Sequence, residues 1–370
     1  MAHGTIKTTM PANVIEGVRE IARRELAPLV ASIDREGLYP EVVLRSLGAV
    51  GAFSAHLPGI ASGKPDLRTA IEAMSAVGEH CLSTSFCMWC QNALAWYIAT
   101  SDNKPLQASL GARVAAGETL GGTGLSNPMK HFFGIERLRL KARQVDGGYS
   151  VNGALPWVSN LGADHNFGAI FELERRPEHR VMAVIDCAGP GVSIAQNAEF
   201  VALDGTRTFS VQFRDAFVPE EQVLASPIGG YIPRIRAGFI LLQSGMAFGL
   251  VRDCIALMRQ EQDRLAHVNK YIEMQPGDFE TALAALEAEV WRLCETPFDT
   301  SPGYLRRVAQ ARLTAGEISV KAAHFAMLHQ GAKGYVSTGA AQRRLREAYF
   351  VAIVTPATKQ LRKMLVELPG

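Results

Sequence analysis

The sequence has little that would commit it to a nucleic acid or to a membrane. Its 38 lysines and arginines against 36 aspartates and glutamates leave a formal net charge of +2. So small an excess does not produce the positive field that attracts a phosphate backbone. No apolar run approaches the ~20 residues of a membrane span, and the first residues lack the apolar stretch of a signal peptide. We therefore expect a cytoplasmic protein that binds neither nucleic acid nor membrane.

Cysteine is also scarce, with six residues in a chain of 370. Cys87 and Cys90 are spaced as C-x-x-C, but the chain contains no second pair at zinc-site spacing, and the surrounding run is apolar with helical periodicity. None of the nine histidines lies in a metal-ligand pattern with a carboxylate partner. We expect buried free thiols and no metal site.

Hydrophobic residues make up 48% of the chain, enough to bury the cores of two or three domains. The apolar residues repeat with a helical period over about 11–117, with a period of two over about 120–227, and with a helical period again from about 233. This order predicts an α+β multidomain protein. Its predicted parts are an α-helical N-terminal domain (1–119), a small antiparallel β-barrel or sandwich (120–227) and a C-terminal four-helix bundle (228–370).

Breaks in the helical pattern give the predicted helix bounds. In the first domain the predicted helices are 41–53, 68–100 and 104–117. In the bundle they are 235–264, 303–330 and 340–366, together with one whose apolar seam is Phe279, Leu283, Leu286, Val290 and Leu293.

The most informative stretch runs from 146 to 160. Asp146-Gly147-Gly148 and Asn152-Gly153 are turn signals on either side of a short strand, and Trp157-Val158-Ser159-Asn160 follows. An indole followed by a hydroxyl and an amide supplies a packing wall and hydrogen bonds, which a flat aromatic cofactor requires. Taken alone, the pattern also fits an ordinary hairpin of an all-β domain.

Two flanking motifs extend this pattern. Ser126-Asn127-Pro128 follows a glycine-rich run at 121–125, and a strand over 206–217 leads into Val218-Pro219. In this order and spacing, the chain resembles the acyl-CoA dehydrogenase superfamily of flavoproteins. That family has a Thr-Glu-Pro motif, a strand ending in Asn-Gly, a Trp-Ile-Ser or Trp-Ile-Thr motif, and a strand leading into Val-Pro. The resemblance implies the helix–β–bundle architecture, a homo-oligomer (dimer or tetramer) and FAD.

The resemblance assigns residues to the flavin ring. It places Leu125 and Ser126 at the pyrimidine edge, with Ser126 standing in for the threonine of the family. It places Trp157 against the ring face and Ser159 near the flavin N5.

The motifs for the dinucleotide tail match less well. Arg264 is the nearest substitute for the arginine of the first bundle helix, and Gly331 alone remains of a glycine pair. Thr358 matches a Gly-Thr near the C-terminus. FMN therefore stays open beside FAD.

The resemblance also exposes a gap at the catalytic base. The family's glutamate aligns with Pro356, and its alternative position on the first bundle helix aligns with Phe239, and neither residue can accept a proton. Glu347 matches a family Arg-Asp pair and is expected to pair on a helix surface. The chain therefore looks like a divergent member without the usual glutamate. The remaining polar candidates for a catalytic role are Asn127, His131 and His329.

Three functions follow from the resemblance. The first is oxidation of the CH–CH bond of an acyl thioester, with an acyl-CoA as the small-molecule substrate. The second is monooxygenation by reduced flavin and oxygen, which a branch of the superfamily without this base performs. The third is a catalytically inactive relative that acts as an assembly subunit.

Overall fold

The computed structural model describes residues 14–58, 64–196 and 198–368. The first part of the chain is helical. Its helices are α1 (Val14–Ile21), α2 (Val30–Arg35), α3 (Glu41–Ala49), α4 (Leu67–Gly78), α5 (Leu82–Thr100), α6 (Lys104–Leu106) and α7 (Ala112–Ala115). The predicted helix 41–53 thus ends earlier, at Ala49. The predicted helix 68–100 is two helices, because the chain is extended at Cys81 just before α5.

The middle part is a sheet of eight strands and one short helix. These are β1 (Gly121–Thr123), α8 (Ser126–Phe132), β2 (Lys141–Val145), β3 (Gly148–Val158), β4 (Asn166–Leu173), β5 (Arg176–Asp186), β6 (Val192–Ala195), β7 (Phe209–Pro219) and β8 (Val223–Ala225). The strand order is β6-β7-β3-β2-β4-β5-β8, and β1 pairs with β4.

The predicted turn at 146–148 joins β2 to β3, with Val145 opposite Gly148. Gly147 adopts a φ of +70°, a conformation that glycine reaches without strain. Most strand pairs are antiparallel, as predicted, but β1 and β2 both run parallel to β4. The chain crosses over after β3 before it enters β4, so β4 aligns with β2 in the same direction.

The last part is the predicted helical bundle. Its helices are α9 (Tyr231–Leu242), α10 (Ser244–Arg259), α11 (Gln262–Asn269), α12 (Pro276–Cys294), α13 (Pro302–Gln330), α14 (Ala332–Tyr335), α15 (Ala340–Ile353) and α16 (Thr358–Glu367). All five residues of the predicted seam on α12 are buried, which confirms that pattern. The predicted helix 340–366 breaks between α15 and α16, where Pro356 has no amide hydrogen for a helical bond. The predicted fold class is confirmed.

Helix α5 occupies the centre of the molecule. Every residue from Leu82 to Thr100 except Ala99 is buried, as expected for a helix without a polar face. Trp89 Nε1 donates to the carbonyl oxygen of Phe239 at 3.2 Å, and Trp96 Nε1 donates to that of Ile235 at 3.0 Å. These bonds attach α5 to α9. The six cysteines are all buried and free, as predicted.

One stretch resembles a membrane span in length and composition. Tyr231–Arg259 covers α9 and α10 and has a mean hydropathy of 1.4 in its most apolar window. Of that window, 83% is buried inside the protein, so the core helix of a soluble protein explains it equally well.

The buried His56 predicts a pH dependence of stability. Its side chain is 0% exposed, Nε2 lies 2.9 Å from the carbonyl oxygen of Asn92, and Nδ1 has no partner. Burial lowers the pKa of His56 to about 4, from about 6.5 in the unfolded chain. Between these values only the unfolded state binds the proton. The contribution of neutral His56 to the free energy of unfolding is therefore fully present above pH 6.5. The free energy of unfolding should fall by about 3 kcal/mol as the pH drops to 4.

Urea unfolding at a series of pH values checks this expectation. The variant His56→Gln, which cannot titrate, should lose less stability over the same range. Parallel pH profiles of the wild type and the variant would contradict a neutral buried histidine.

Candidate functional site

A cavity of about 380 Å³ lies where the sheet, α5 and the bundle meet. Its aromatic lining comes from α5, α9, α15, the end of β3 and the segment before β7, namely Phe86, Trp89, Trp157, Phe200, Phe239 and Phe350. Its hydroxyl lining is Thr123, Ser126, Ser159, Thr206, Thr208 and Thr355. A larger groove of about 710 Å³ beside Arg68 and Trp291 is lined by none of the predicted site residues.

The inner wall of the cavity is a packed aromatic cluster. The rings of Phe86 and Phe350 meet edge to face at 4.5 Å, and those of Trp89 and Phe239 lie 5.0 Å apart. The predicted Trp157 lies nearer to solvent, being 41% exposed, and its ring packs against Phe200 at 5.6 Å. The cavity therefore offers a firm apolar wall inside and an indole at its opening.

The turn after β3 aims Ser159 into the cavity. Asn160 adopts a φ of +64°, which asparagine tolerates better than most residues. Its side chain accepts a hydrogen bond from the Tyr39 hydroxyl at 2.8 Å and donates one to the carbonyl oxygen of Gly121 at 2.7 Å. A Cβ at Gly122 would lie 2.0 Å from the carbonyl oxygen of Ser159, so only glycine allows β1 to pack this closely. The turn is thus tied both to the helical part and to β1.

A chain of hydroxyls continues from Ser159. Its Oγ lies 2.6 Å from Thr208 Oγ1, which lies 2.8 Å from Thr206 Oγ1. Thr206 Oγ1 donates to the carbonyl oxygen of Leu203 at 2.7 Å. Neither threonine was predicted as a site residue. The only sequence signal for them is that two threonines lie two residues apart just before β7.

Helix α8 contributes the opposite side. Ser126 and Lys130 are one turn apart and both line the cavity, and Ser126 Oγ lies 3.3 Å from Thr355 Oγ1. Lys130 is the only charged side chain among the described lining residues, and its Nζ lies 3.0 Å from Glu136 Oε1. Leu125 is buried just before the helix.

Asn127 and His131 hold the segment that follows α8. Asn127 Nδ2 donates to Glu136 Oε2 at 3.1 Å, and His131 Nδ1 lies 3.1 Å from the carbonyl oxygen of Glu136. Burial tends to raise the pKa of the Glu136 carboxyl, but hydrogen bonds from Lys130 and Asn127 outweigh this and lower it. Neither Asn127 nor His131 lines the main cavity. Asn127 and His131 therefore hold Glu136 in place beside Lys130.

Of the two positions that the resemblance aligns with the family base, Phe239 lines the cavity, whereas Pro356 does not. Phe239 forms part of its wall, and Thr355, just before Pro356, lines it. Among the described lining residues there is no aspartate, glutamate or histidine. The one thiol of the lining belongs to Cys90, and burial raises its pKa well above the usual range. Across residues 14–58, 64–196 and 198–368, no group of three or more His, Cys, Asp or Glu is placed to hold a metal ion.

Arg264 and Gly331 lie at another part of the bundle. Arg264 Nη2 and Lys333 Nζ each lie 2.6 Å from a different oxygen of Glu261, and Gly331 is two residues before Lys333. Hydrogen bonds from Lys333 and Arg264 lower the pKa of the Glu261 carboxyl. Arg264 and Lys333 therefore meet at Glu261, and neither Arg264 nor Gly331 lines the cavity.

Three further residues also lie elsewhere. His329 is buried, with Nε2 2.9 Å from the carbonyl oxygen of Met274. Thr358 donates to the carbonyl oxygen of Ala352 at 3.0 Å at the start of α16. The expectation that Glu347 pairs on a helix surface was wrong. Its side chain is buried and accepts hydrogen bonds from Arg343 and Arg344, because α15 packs against the core here.

Fold and cavity together define a helical protein with an inserted sheet and a cavity between the sheet and the bundle. Residues 12–129 match the model of the acyl-CoA dehydrogenase N-terminal domain. The chain is 22% identical over 366 residues to the mitochondrial short-chain specific acyl-CoA dehydrogenase of Homo sapiens, covering 95% of this chain and 88% of that protein.

Two solved structures share the fold. Butyryl-CoA dehydrogenase from Megasphaera elsdenii superposes with a TM-score of 0.86 at 17% identity, covering 99% of both chains. A glutaryl-CoA dehydrogenase from Mycobacterium smegmatis, solved in complex with FADH2, gives a TM-score of 0.77 at 15% identity, covering 96% of this chain and 92% of that one. The chain is therefore similar in sequence to acyl-CoA dehydrogenases over 95% of its length, and it shares the fold of butyryl-CoA dehydrogenase.

Proposed function

We propose that this protein is an FAD-dependent oxidoreductase that oxidises the CH–CH bond of an acyl thioester, with an acyl-CoA as its substrate. The observation that carries the proposal is the cavity that brings Ser126, Trp157 and Ser159 together against an aromatic wall. Relatives matched over nearly the whole chain are named as acyl-CoA dehydrogenases, and one structural neighbour was solved with FADH2.

The lining chemistry fits a flavin ring. Isoalloxazine is flat and apolar on its faces but carries heteroatoms along one edge. Trp157 and the aromatic wall supply the packing surfaces, and the hydroxyls of Ser126 and Ser159 supply partners for the edge. Bound FAD would provide the acceptor for the hydride that leaves the substrate.

The residues of the chain have separate roles in this proposal. Trp157 packs against the ring near the opening, and Ser126 and Ser159 orient its edge. The buried rings of Trp89 and Phe239 keep water from the reacting carbon atoms, which strengthens polar interactions there. Pro356 and Phe239 occupy both base positions, so we propose that the usual glutamate is absent and that removal of the substrate's α-proton is slow.

The same lining supports a second candidate, monooxygenation by reduced flavin and oxygen. The favouring observation is that hydroxyls and Lys130, rather than a carboxylate, provide the polar lining among the described residues. Reduced protein supplied with oxygen and an aromatic, amine or sulfur substrate should then give a product heavier by one oxygen atom. Mass spectrometry detects that product, and the absence of any oxygenated product across such a panel would remove this candidate.

The visible spectrum tests the main proposal. Purified protein is incubated with FAD, and unbound FAD is then removed. The protein should show the visible absorption band of bound flavin. Dithionite should bleach the band and air should restore it. An acyl-CoA added without oxygen should perturb the band, since it binds beside the ring. Failure of the wild type to retain any flavin would refute the proposal.

Ser159→Ala should weaken retention of FAD. The variant loses one hydrogen bond to the ring, worth ~1 kcal/mol, or roughly a fivefold rise in the dissociation constant. Ser150→Ala is the matched control, because Ser150 lies on β3 but bonds to Asp215 rather than facing the cavity. Fluorescence titration with FAD measures both variants. Equal affinities for the two would argue against Ser159 as a ring contact.

The protein should also be a homo-oligomer, a dimer or a tetramer, assembled through the bundle. The cationic pair Arg264 and Lys333 does not line the cavity of its own chain, and a second copy could bring such a pair to the FAD tail. Tyr349 on α15 is 57% exposed and does not line the cavity, as expected for an interface residue. Light scattering should give a multiple of 40.1 kDa. A monomer at micromolar concentration would contradict the proposed assembly.

A further inference from the structure

We propose that Thr206 and Thr208 act as positioning residues that turn the Ser159 hydroxyl into a hydrogen-bond acceptor, so that the site favours the reduced flavin over the oxidised one. The inference rests on the proposed function and concerns the same cavity.

The direction of the hydroxyl chain is set at its far end. A carbonyl oxygen only accepts, and that of Leu203 takes the Thr206 hydroxyl at 2.7 Å and the Thr206 amide at 3.1 Å. A threonine hydroxyl has one hydrogen to donate. With that hydrogen used, Thr206 Oγ1 can only accept from Thr208, 2.8 Å away. Thr208 in turn can only accept from Ser159, 2.6 Å away. Ser159 is left with lone pairs facing the cavity.

The anchor of this chain is buried and held by its backbone. Thr206 is 1% exposed and Ser159 is 9% exposed, so water has little access to the two ends of the hydroxyl chain. The carbonyl oxygen of Thr206 accepts from the Asn160 amide at 2.9 Å, which connects the threonine turn to the turn that carries Ser159. Reversing one hydroxyl would leave an oxygen–oxygen contact in the chain without a hydrogen, which is costly in a buried place.

The direction of the hydroxyl chain matters because flavin N5 changes from a hydrogen-bond acceptor to a donor when the ring is reduced. In the oxidised ring N5 carries only a lone pair and needs a donor. Reduction by a hydride equivalent adds two electrons and one proton at N5, which then carries a hydrogen and becomes a donor. With Ser159 near N5, as the family resemblance implies, an accepting hydroxyl matches the reduced ring, whereas the oxidised ring requires Ser159 to turn its hydrogen away from Thr208. The hydroxyl chain should raise the midpoint potential of the bound flavin.

The test measures the midpoint potential of the FAD-loaded protein by equilibration with a reference dye. Thr208→Val keeps the shape of threonine but frees the Ser159 hydrogen to serve the oxidised ring. We expect this variant to lose about tenfold in preference for the reduced flavin, a fall of about 30 mV for a two-electron couple. Thr208→Ser retains the hydroxyl and should restore the wild-type potential. Ser210→Ala, on the same strand but bonded to the carbonyl oxygen of Ala195, should leave the potential unchanged.

Thr206→Val removes the anchor instead and should also lower the potential, which provides a second variant if Thr208→Val does not fold. A wild type that retains flavin, with unchanged or higher potentials in both valine variants, would overturn the inference and leave the proposed function standing. A similar fall in Ser210→Ala would overturn it as well, because the effect would then not depend on the hydroxyl chain. A wild type that binds no flavin would refute both.

Discussion

Replacing Phe239 with glutamate is expected to raise the rate of acyl-CoA oxidation by a factor on the order of 10²–10⁴ over the wild type, the usual contribution of a positioned base. Phe239 is 3% exposed and lines the cavity, whose described lining contains no carboxylate. A glutamate at this place would be desolvated among Trp89 and Tyr97, and burial raises the pKa of a carboxyl toward neutral pH. Such a group can take the α-proton of the substrate, for which the described lining offers no carboxylate.

The matched control is Phe239→Gln. Glutamine has nearly the same shape as glutamate but cannot accept a proton at neutral pH. Both variants and the wild type are assayed with straight- and branched-chain acyl-CoAs and an artificial electron acceptor. Wild-type turnover should be slow or absent. Robust turnover by the wild type would show that another acid fills the gap. An equal gain in the glutamine variant would show that cavity shape, rather than a base, limits the rate.

Replacing Arg344 with methionine is expected to lower the free energy of unfolding by about 3–5 kcal/mol, the usual effect of breaking a buried ion pair. The side chain is 0% exposed, and its nitrogens lie 2.6 Å from Asp253 Oδ2 and 2.8 Å from Glu347 Oε2. Burial alone would lower the pKa of the guanidinium, but attraction to these carboxylates outweighs it and raises the pKa. Without the arginine, Glu347 stays buried with less compensation for its charge.

Urea unfolding provides the measurement for Arg344. The control is Arg259→Met, which breaks a pair with Glu280 in which both side chains are nearly half exposed. That variant should change stability by no more than about 1 kcal/mol. A similar decrease in the free energy of unfolding in the two variants would mean that burial of the Arg344 ion pairs adds nothing to stability beyond that of an exposed pair.

Much of the architecture could be predicted from local sequence patterns. Periods of 3.6 and of two separate the helical parts from the sheet, because each period places apolar side chains on one face of its element. The turn at Gly147 and the seam on α12 follow from the same local rules. Trp157, Ser159 and Ser126 line one cavity, as the order of their motifs implied.

Other features depended on contacts between distant parts of the chain. Pro356 is visible in the sequence, but the continuous apolar pattern of 340–366 masked the break between α15 and α16. The charge of Glu347 suggested a surface residue. Its burial depends on Arg344 and on the α5 amide of Leu82, and no local pattern reports such partners.

The sequence by itself determined the helix–sheet–helix order and the turn that presents Trp157 and Ser159. Only the tertiary structure decided that Thr206 and Thr208 are linked to Ser159 by hydrogen bonds and that Asn127 and His131 contact Glu136 rather than line the cavity. It also decided that Arg264 lies apart from the cavity. The physical reason is that periodicity and turn chemistry act between near neighbours in the chain. Hydrogen-bond direction and ion pairing instead depend on which distant side chains the folded backbone brings within about 3 Å.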